Sequence, residues 1–251
     1  MIKRYIYSLA LALGLAAATI PALAAEGEEG LAPAGTNVSD RASLQRGAKL
    51  FFNYCVGCHS LKYVRYSRLA TDLGLSEEEV MTNLNFTGAK FGEPVISHMP
   101  ADSAKTWFGK DPPDLSLEAR AKGVDFIFNY LNSFYLDPSR PVGWNNTVFP
   151  NASMPNPLWE LQGLQSAVHG EAKPGEEAVV EKLEITTPGR MTPEEFRGAT
   201  RDLTTFLEYA AEPAALERQS IGVWVILFLA GLTFLLYLLK HEYWKDVHES
   251  H

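Results

Sequence analysis

Cys55 and Cys58 are the only cysteines in a chain of 251 residues, and His59 follows the second directly. In the stretch YCVGCHS the two thiols lie three residues apart, so one turn of chain can present both along a single edge. C-x-x-C-H is the attachment sequence of a c-type haem. Two thiols reach the two vinyl groups of one porphyrin edge and form thioethers, while the next residue aims its imidazole at the iron. The competing chemistries each lack a part. A structural zinc site needs four ligands, and no second cysteine pair exists to supply them. A thioredoxin-like redox pair belongs near a βαβ pattern, which the sequence does not offer. A plain disulfide leaves His59 without a role. The residues therefore predict one covalently attached haem c, with His59 on the proximal side of the iron.

The sixth iron position separates electron transfer from small-molecule chemistry, and a methionine there raises the potential. Beyond Met1 the candidates are Met81, Met99, Met154 and Met191, with His98 and His169 as imidazole alternatives. Met81 falls in a predicted helix and Met191 just before a helix cap, where methionines serve packing. Met99-Pro100 and Met154-Pro155 lie in proline-braced loops that can hold a sulfur at a fixed distance. Spacing alone favours Met154 over Met99 without deciding between them.

These groups need elements to position them. Leu44, Ala48, Phe51 and Phe52 recur at helical spacing and run straight into Cys55. Ser76 to Glu79 forms a capping box that opens a short helix to about Leu84. Ser116 is placed to cap a helix ending at Lys122, and Val124 to Tyr135 is strongly aromatic. Thr192-Pro193-Glu194-Glu195 is another N-cap, proline and glutamate signature, predicting a helix to about Ala211. The stretches 85–115 and 137–160 are rich in Pro, Gly, Asn and Asp, and such long irregular segments often enclose a functional group. Leu158–Val168 and Ala178–Thr186 are expected to pair as strands. Helices dominate: the fold expected is mainly α, a class I c-type cytochrome-like haem domain with long loops and one C-terminal membrane helix.

Composition and the chain ends set the location. A hydrophobic fraction of 46% and a net charge of −8 exclude a disordered chain and a basic nucleic-acid-binding surface. Lys3 and Arg4, an apolar run, and Ala22-Leu23-Ala24 read as a secretory signal over residues 1–24. Its removal takes away two positive charges and no acid, moving the net charge from −8 to −10. Ile221 to Leu239 carries no charge. At about 1.5 Å per residue it covers roughly 28 Å, close to the ~30 Å hydrocarbon core of a bilayer. The expected order is a signal peptide (1–24), a periplasmic haem domain (25–219), a transmembrane helix (220–240) and a cytoplasmic tail (241–251). That order places the protein in a bacterial inner membrane, single-pass.

Beyond C-x-x-C-H, four features occur in one order: Cys55 to His59, Pro112-Pro113-Asp114-Leu115-Ser116, Met154-Pro155-Asn156-Pro157, and Phe206 to Pro213 just before the apolar run. In this the sequence resembles the cytochrome c1 family, the haem subunit of the quinol:cytochrome c oxidoreductase (cytochrome bc1 complex), in its bacterial form. The resemblance implies thioethers at Cys55 and Cys58, His59 as proximal ligand and Met154 as axial ligand. It also implies a basic residue after the P-P-D-L-S block that pairs with a haem propionate, and both Arg120 and Lys122 are available. It further implies a single-electron relay from the Rieske iron-sulfur subunit to a soluble cytochrome c, beside cytochrome b in a dimeric complex. No independent catalysis is expected of such a redox subunit. Acidic stretches such as Glu77 to Glu79 could steer a basic carrier. The rival readings are a membrane-anchored monohaem cytochrome of another electron-transfer chain, and a haem enzyme or sensor with an open iron position.

Overall fold

Asp40 opens the first helix by accepting hydrogen bonds from the N–H groups of Ala42 and Ser43, which satisfies donors that a helix start leaves unpaired. In this computed structural model, which describes residues 30–170 and 179–249, that helix is α1, Arg41–Tyr54. Its buried stripe is Leu44, Gly47, Ala48, Phe51 and Phe52. The predicted signal peptide lies outside the described residues. A short strand β1 (Leu61–Arg65) follows, then α2 (Tyr66–Leu73) and α3 (Glu77–Asn83). The Ser76 capping box is formed as expected.

Between 85 and 115, where only irregular chain was expected, the structure has β2 (Pro94–Val95), paired antiparallel with β1, and α4 (Ala101–Phe108). The short α4 is rich in weak helix formers and stops at Gly109, whose φ of 77° is left-handed. Next come α5 (Glu118–Lys122) and α6 (Val124–Asn132). Ser116 does not cap α5. Leu117 holds the cap position without a side-chain bond, and the Ser116 hydroxyl accepts instead from the Tyr63 N–H at 3.1 Å. The aromatic helix ends at Asn132, and Phe134–Leu136 is strand β3.

The remaining strands are β4 (Trp144–Asn146), β5 (Gly163–His169) and β6 (Val180–Pro188), in the sheet order β4-β3-β5-β6. Among the described residues only the β3–β5 pair is parallel. The expected strand pair is present, but the start of its first strand is helical: Trp159–Gln162 forms α7, and Gly163 at φ 96° turns the chain into β5. Then α8, Pro193–Ala211, starts at the Thr192 capping box and buries Phe196, Leu203, Phe206, Leu207 and Tyr209.

Helices α1 and α8 cross closely, and Gly47 is why. A Cβ on Gly47 would stand 2.1 Å from the Asp202 carbonyl oxygen and 2.7 Å from the Phe206 Cβ. At the same crossing Arg46 and Ser43 bond Asp202, while Phe51, Phe52, Tyr66, Phe206 and Tyr209 form one aromatic cluster with neighbouring ring centroids 5.4–6.5 Å apart. This core holds the C-terminal end of α1, and therefore Cys55, in place. The last helix, α9 (Ala215–Glu249), contains a stretch long and apolar enough to cross a membrane, with none of it buried in the protein. Its apolar surface runs all round rather than in a stripe, as lipid contact requires.

Candidate functional site

The end of α1 continues directly into the cysteine turn. Cys55 N–H donates to the Phe51 carbonyl at 2.8 Å, and Cys58 and His59 N–H both donate to the Cys55 carbonyl, at 3.0 and 2.9 Å. Those bonds fold Cys55 to His59 back on itself, so both cysteines and the imidazole face one cavity of about 310 Å³. The two cysteines are not bonded to each other. Burial, with a smaller push from Cys58, raises the Cys55 thiol to about 12, and burial also raises Cys58. Among the described residues no group of three or more His, Cys, Asp or Glu side chains could hold a metal ion.

The imidazole has a defined orientation. His59 Nδ1 lies 2.8 Å from the Pro113 carbonyl oxygen. A carbonyl only accepts, so Nδ1 carries the proton and Nε2 keeps its lone pair. Burial pushes the ring's pKa below its ordinary value, against smaller pulls from the Pro113 bond and the Glu118 and Asp114 carboxylates. A neutral imidazole with a fixed tautomer is the form that binds iron.

Pro113 belongs to the Pro112–Ser116 block, and the structure explains why that block is near the motif. Leu115 N–H donates to the Ser60 carbonyl at 2.9 Å, and Asp114 Oδ2 accepts from Lys62 N–H at 3.0 Å. The block is strapped to the chain just after His59, and its Pro113 carbonyl is what reaches the ring.

Of the sequence candidates for the sixth position, Met154 lines the same cavity as His59. Met81 and Met191 pack against the hydrophobic core, as expected. Met99, His98 and His169 are not among the residues lining the cavity. Lys122 lines the cavity, with its ammonium 5.8 Å from the Phe126 ring centroid. Arg120 instead faces a smaller cavity with Glu208, Glu212 and Arg218, at the junction with α9.

Sequence reasoning missed Lys110, which also lines the main cavity, 5.9 Å from the Phe149 ring centroid. It missed Leu203 and Leu207 of α8 as wall residues too. Both leucines are buried on one side of α8, and only tertiary packing tells core from cavity wall.

The donor set and the walls fit a haem: two thiols at one edge, one neutral imidazole nitrogen, one thioether sulfur, and apolar sides from Ile127, Leu131, Leu203 and Leu207. Such walls would bury the apolar faces of a porphyrin.

Comparison with known proteins adds independent findings. The model of the Cytochrome C1 family matches residues 34–170 and 180–247. A cytochrome c1 of Allochromatium vinosum is 49% identical over 96% of this chain and 99% of its own length. A protein of Nitrosomonas europaea named ammonia monooxygenase gamma subunit is 43% identical over 84% of this chain and 86% of its own. A cytochrome c1 of Rhodospirillum rubrum is 30% identical over 83% of each.

Proposed function

The chain belongs to the cytochrome c1 family, and on that premise we propose that Cys55 and Cys58 carry its haem, that His59 Nε2 is the proximal ligand, and that the Met154 sulfur is the axial one. The protein is the haem c-bearing electron-transfer subunit of the cytochrome bc1 complex, in company with cytochrome b and the Rieske protein. The observation that carries the ligand assignment is that His59 and Met154 line one apolar cavity with both cysteines beside them.

When bound, the haem supplies a one-electron iron couple. The chain's own part is to hold and shield. The Pro113 carbonyl fixes the His59 tautomer and keeps the ring from rotating, while burial disfavours its protonation. The apolar walls exclude water, and the aromatic cluster behind α1 resists movement. With His59 and Met154 both holding the iron, no position would be left open for bond-making chemistry.

Lys122, on the cavity wall, is the residue that would pair with a propionate, with Lys110 as a second cation; Arg120 serves the junction with α9 instead. An ammonium pairs as a point charge, without the two-point grip an arginine would give.

The finer organisation follows the same reading. Residues 1–24 are removed on export, and the domain of residues 25–219 stands on the periplasmic side of the bacterial inner membrane. Residues 220–240 span the bilayer, leaving 241–251 in the cytoplasm. The electron acceptor is a soluble cytochrome c, and the complex is a dimer. Gentle solubilisation tests the assignment. Cytochrome b and a Rieske protein are expected to copurify with the haem-stained band. Purification instead with monooxygenase subunits, as the name of the Nitrosomonas relative would have it, would overturn it.

A further inference from the structure

The Met154 segment is fastened by side-chain amides. Asn146 Oδ1 accepts from the Val148 and Phe149 N–H groups at 2.9 and 3.0 Å, and Asn145 Oδ1 accepts from Asn151 N–H at 2.8 Å. On the downstream side Asn156, only 2% exposed, accepts from Leu158 N–H at 2.9 Å and donates through Nδ2 to Gln162 Oε1 at 2.7 Å. Gln162, 4% exposed, donates in turn to the Asn132 carbonyl at 3.2 Å. The Asn132 amide then donates to the buried Thr200 hydroxyl of α8 at 2.9 Å. The directions are fixed, because a backbone N–H can only donate and a backbone carbonyl can only accept. Asn156 is therefore the point where the loop is tied to α6, α7 and α8.

Asn156 is also coupled mechanically to Met154. Proline locks its own φ and restricts the residue before it to extended backbone. In Met154-Pro155-Asn156-Pro157 both Met154 and Asn156 precede a proline, so the backbone between them is a stiff arm with few free torsions. Fixing Asn156 fixes the base from which the Met154 side chain reaches into the cavity. We propose that Asn156, held by Gln162, is the positioning residue for the Met154 sulfur and so tunes the stability of the methionine–iron bond. This rests on Met154 being the axial ligand.

The test is Asn156→Ala in the full chain, purified within its membrane complex and compared with Met154→Ala. For Asn156→Ala the expected results are retained covalent haem, a weakened methionine–iron absorption band, carbon monoxide binding to the reduced protein, and a reduction equilibrium constant lowered about tenfold, which is 59 mV for one electron. Gln162→Met, which removes the acceptor without touching the loop, is expected to act in the same direction and to add little on top of Asn156→Ala. It also carries the test should Asn156→Ala fail to assemble. Asn129→Ala is the control: it breaks two bonds to Ala32, a residue outside the amide chain that holds this loop, and should lower thermal stability while leaving band and potential unchanged. If Asn156→Ala and Gln162→Met lose only thermal stability, keeping the wild-type band and potential, the amide is structural and the proposal is wrong. If Met154→Ala itself keeps the band, the ligand assignment fails instead, and the two failures are told apart.

Discussion

The two sides of the cavity proposed to hold the haem are built by different means. The proximal side is one continuous piece of chain: α1 ends, and within five residues backbone hydrogen bonds have delivered two thiols and an imidazole. The distal side is a loop between β4 and α7 that carries Met154 and is fastened through buried asparagine and glutamine side chains. Contiguous backbone geometry tolerates little substitution but needs few supporting residues. A loop held by amides depends on residues scattered over α6, α7 and α8, and the methionine it carries can be loosened by changes that never touch the cavity.

The largest effect should come from breaking the proximal side. Replacing both Cys55 and Cys58 with Ala is expected to abolish haem that survives denaturing electrophoresis, whereas every distal variant should keep it. Haem staining of membranes makes the comparison.

Next is the support beneath the proximal turn. Gly47→Ala places a methyl 2.1 Å from a carbonyl oxygen of α8. Such overpacking should cost about 1–3 kcal/mol, seen as a lower unfolding temperature. Gly198→Ala, on α8 with nothing within 4 Å of the added carbon, should instead be neutral or stabilise by up to about 1 kcal/mol. Equal losses in both would mean that the α1–α8 crossing is not the tight contact described.

A smaller effect is expected at the cavity wall. Lys122→Gln should shift the midpoint potential by less than about 59 mV, a tenfold change for one electron, and Arg120→Gln should shift it less. The reverse order, read by redox titration, would move the propionate partner to Arg120.

The smallest effect concerns acid. Asp137 accepts from the Asn145 amide at 2.9 Å, at the upstream foot of the distal loop. Hydrogen bonds from the Ser139 hydroxyl and Asn145 hold its carboxyl below the usual range, with Arg140 adding to the effect. A depressed folded pKa stabilises the ionised form, so this support is complete above the ordinary aspartate value of about 3.9 and fades as pH falls through the lower folded value. The methionine–iron band should therefore weaken at acid pH before covalent haem or helix content changes. Asp137→Asn should flatten that dependence, and an unchanged profile would remove Asp137 from the account.

The contrast between the two sides also explains what could be read from sequence. Cys55, Cys58 and His59 are neighbours in the chain, so their chemistry survives in one dimension, as do the caps at Ser76 and Thr192, whose partners lie three residues on. The stabilising partner of His59 is 54 residues away and is a backbone carbonyl, a group no side-chain pattern reports. Ser116 looked like a helix cap because its neighbours allow one, but a bond to Tyr63 N–H took its hydroxyl. Met154 and Met99 were alike in sequence, each before a proline. The order of motifs shared with the family favoured Met154, and in the fold it is Met154 that lines the cavity. The amides behind that loop were invisible, since an asparagine in a Pro-rich stretch reads as a turn until its partners fold against it.

The assignment of Met154 opposite His59 is tested most directly by the spectrum and midpoint potential of Met154→Ala in the purified complex. The expected result is intact covalent haem, loss of the methionine–iron band and a lower potential. A variant with the wild-type band and potential would contradict the assignment and place the axial ligand elsewhere in the chain.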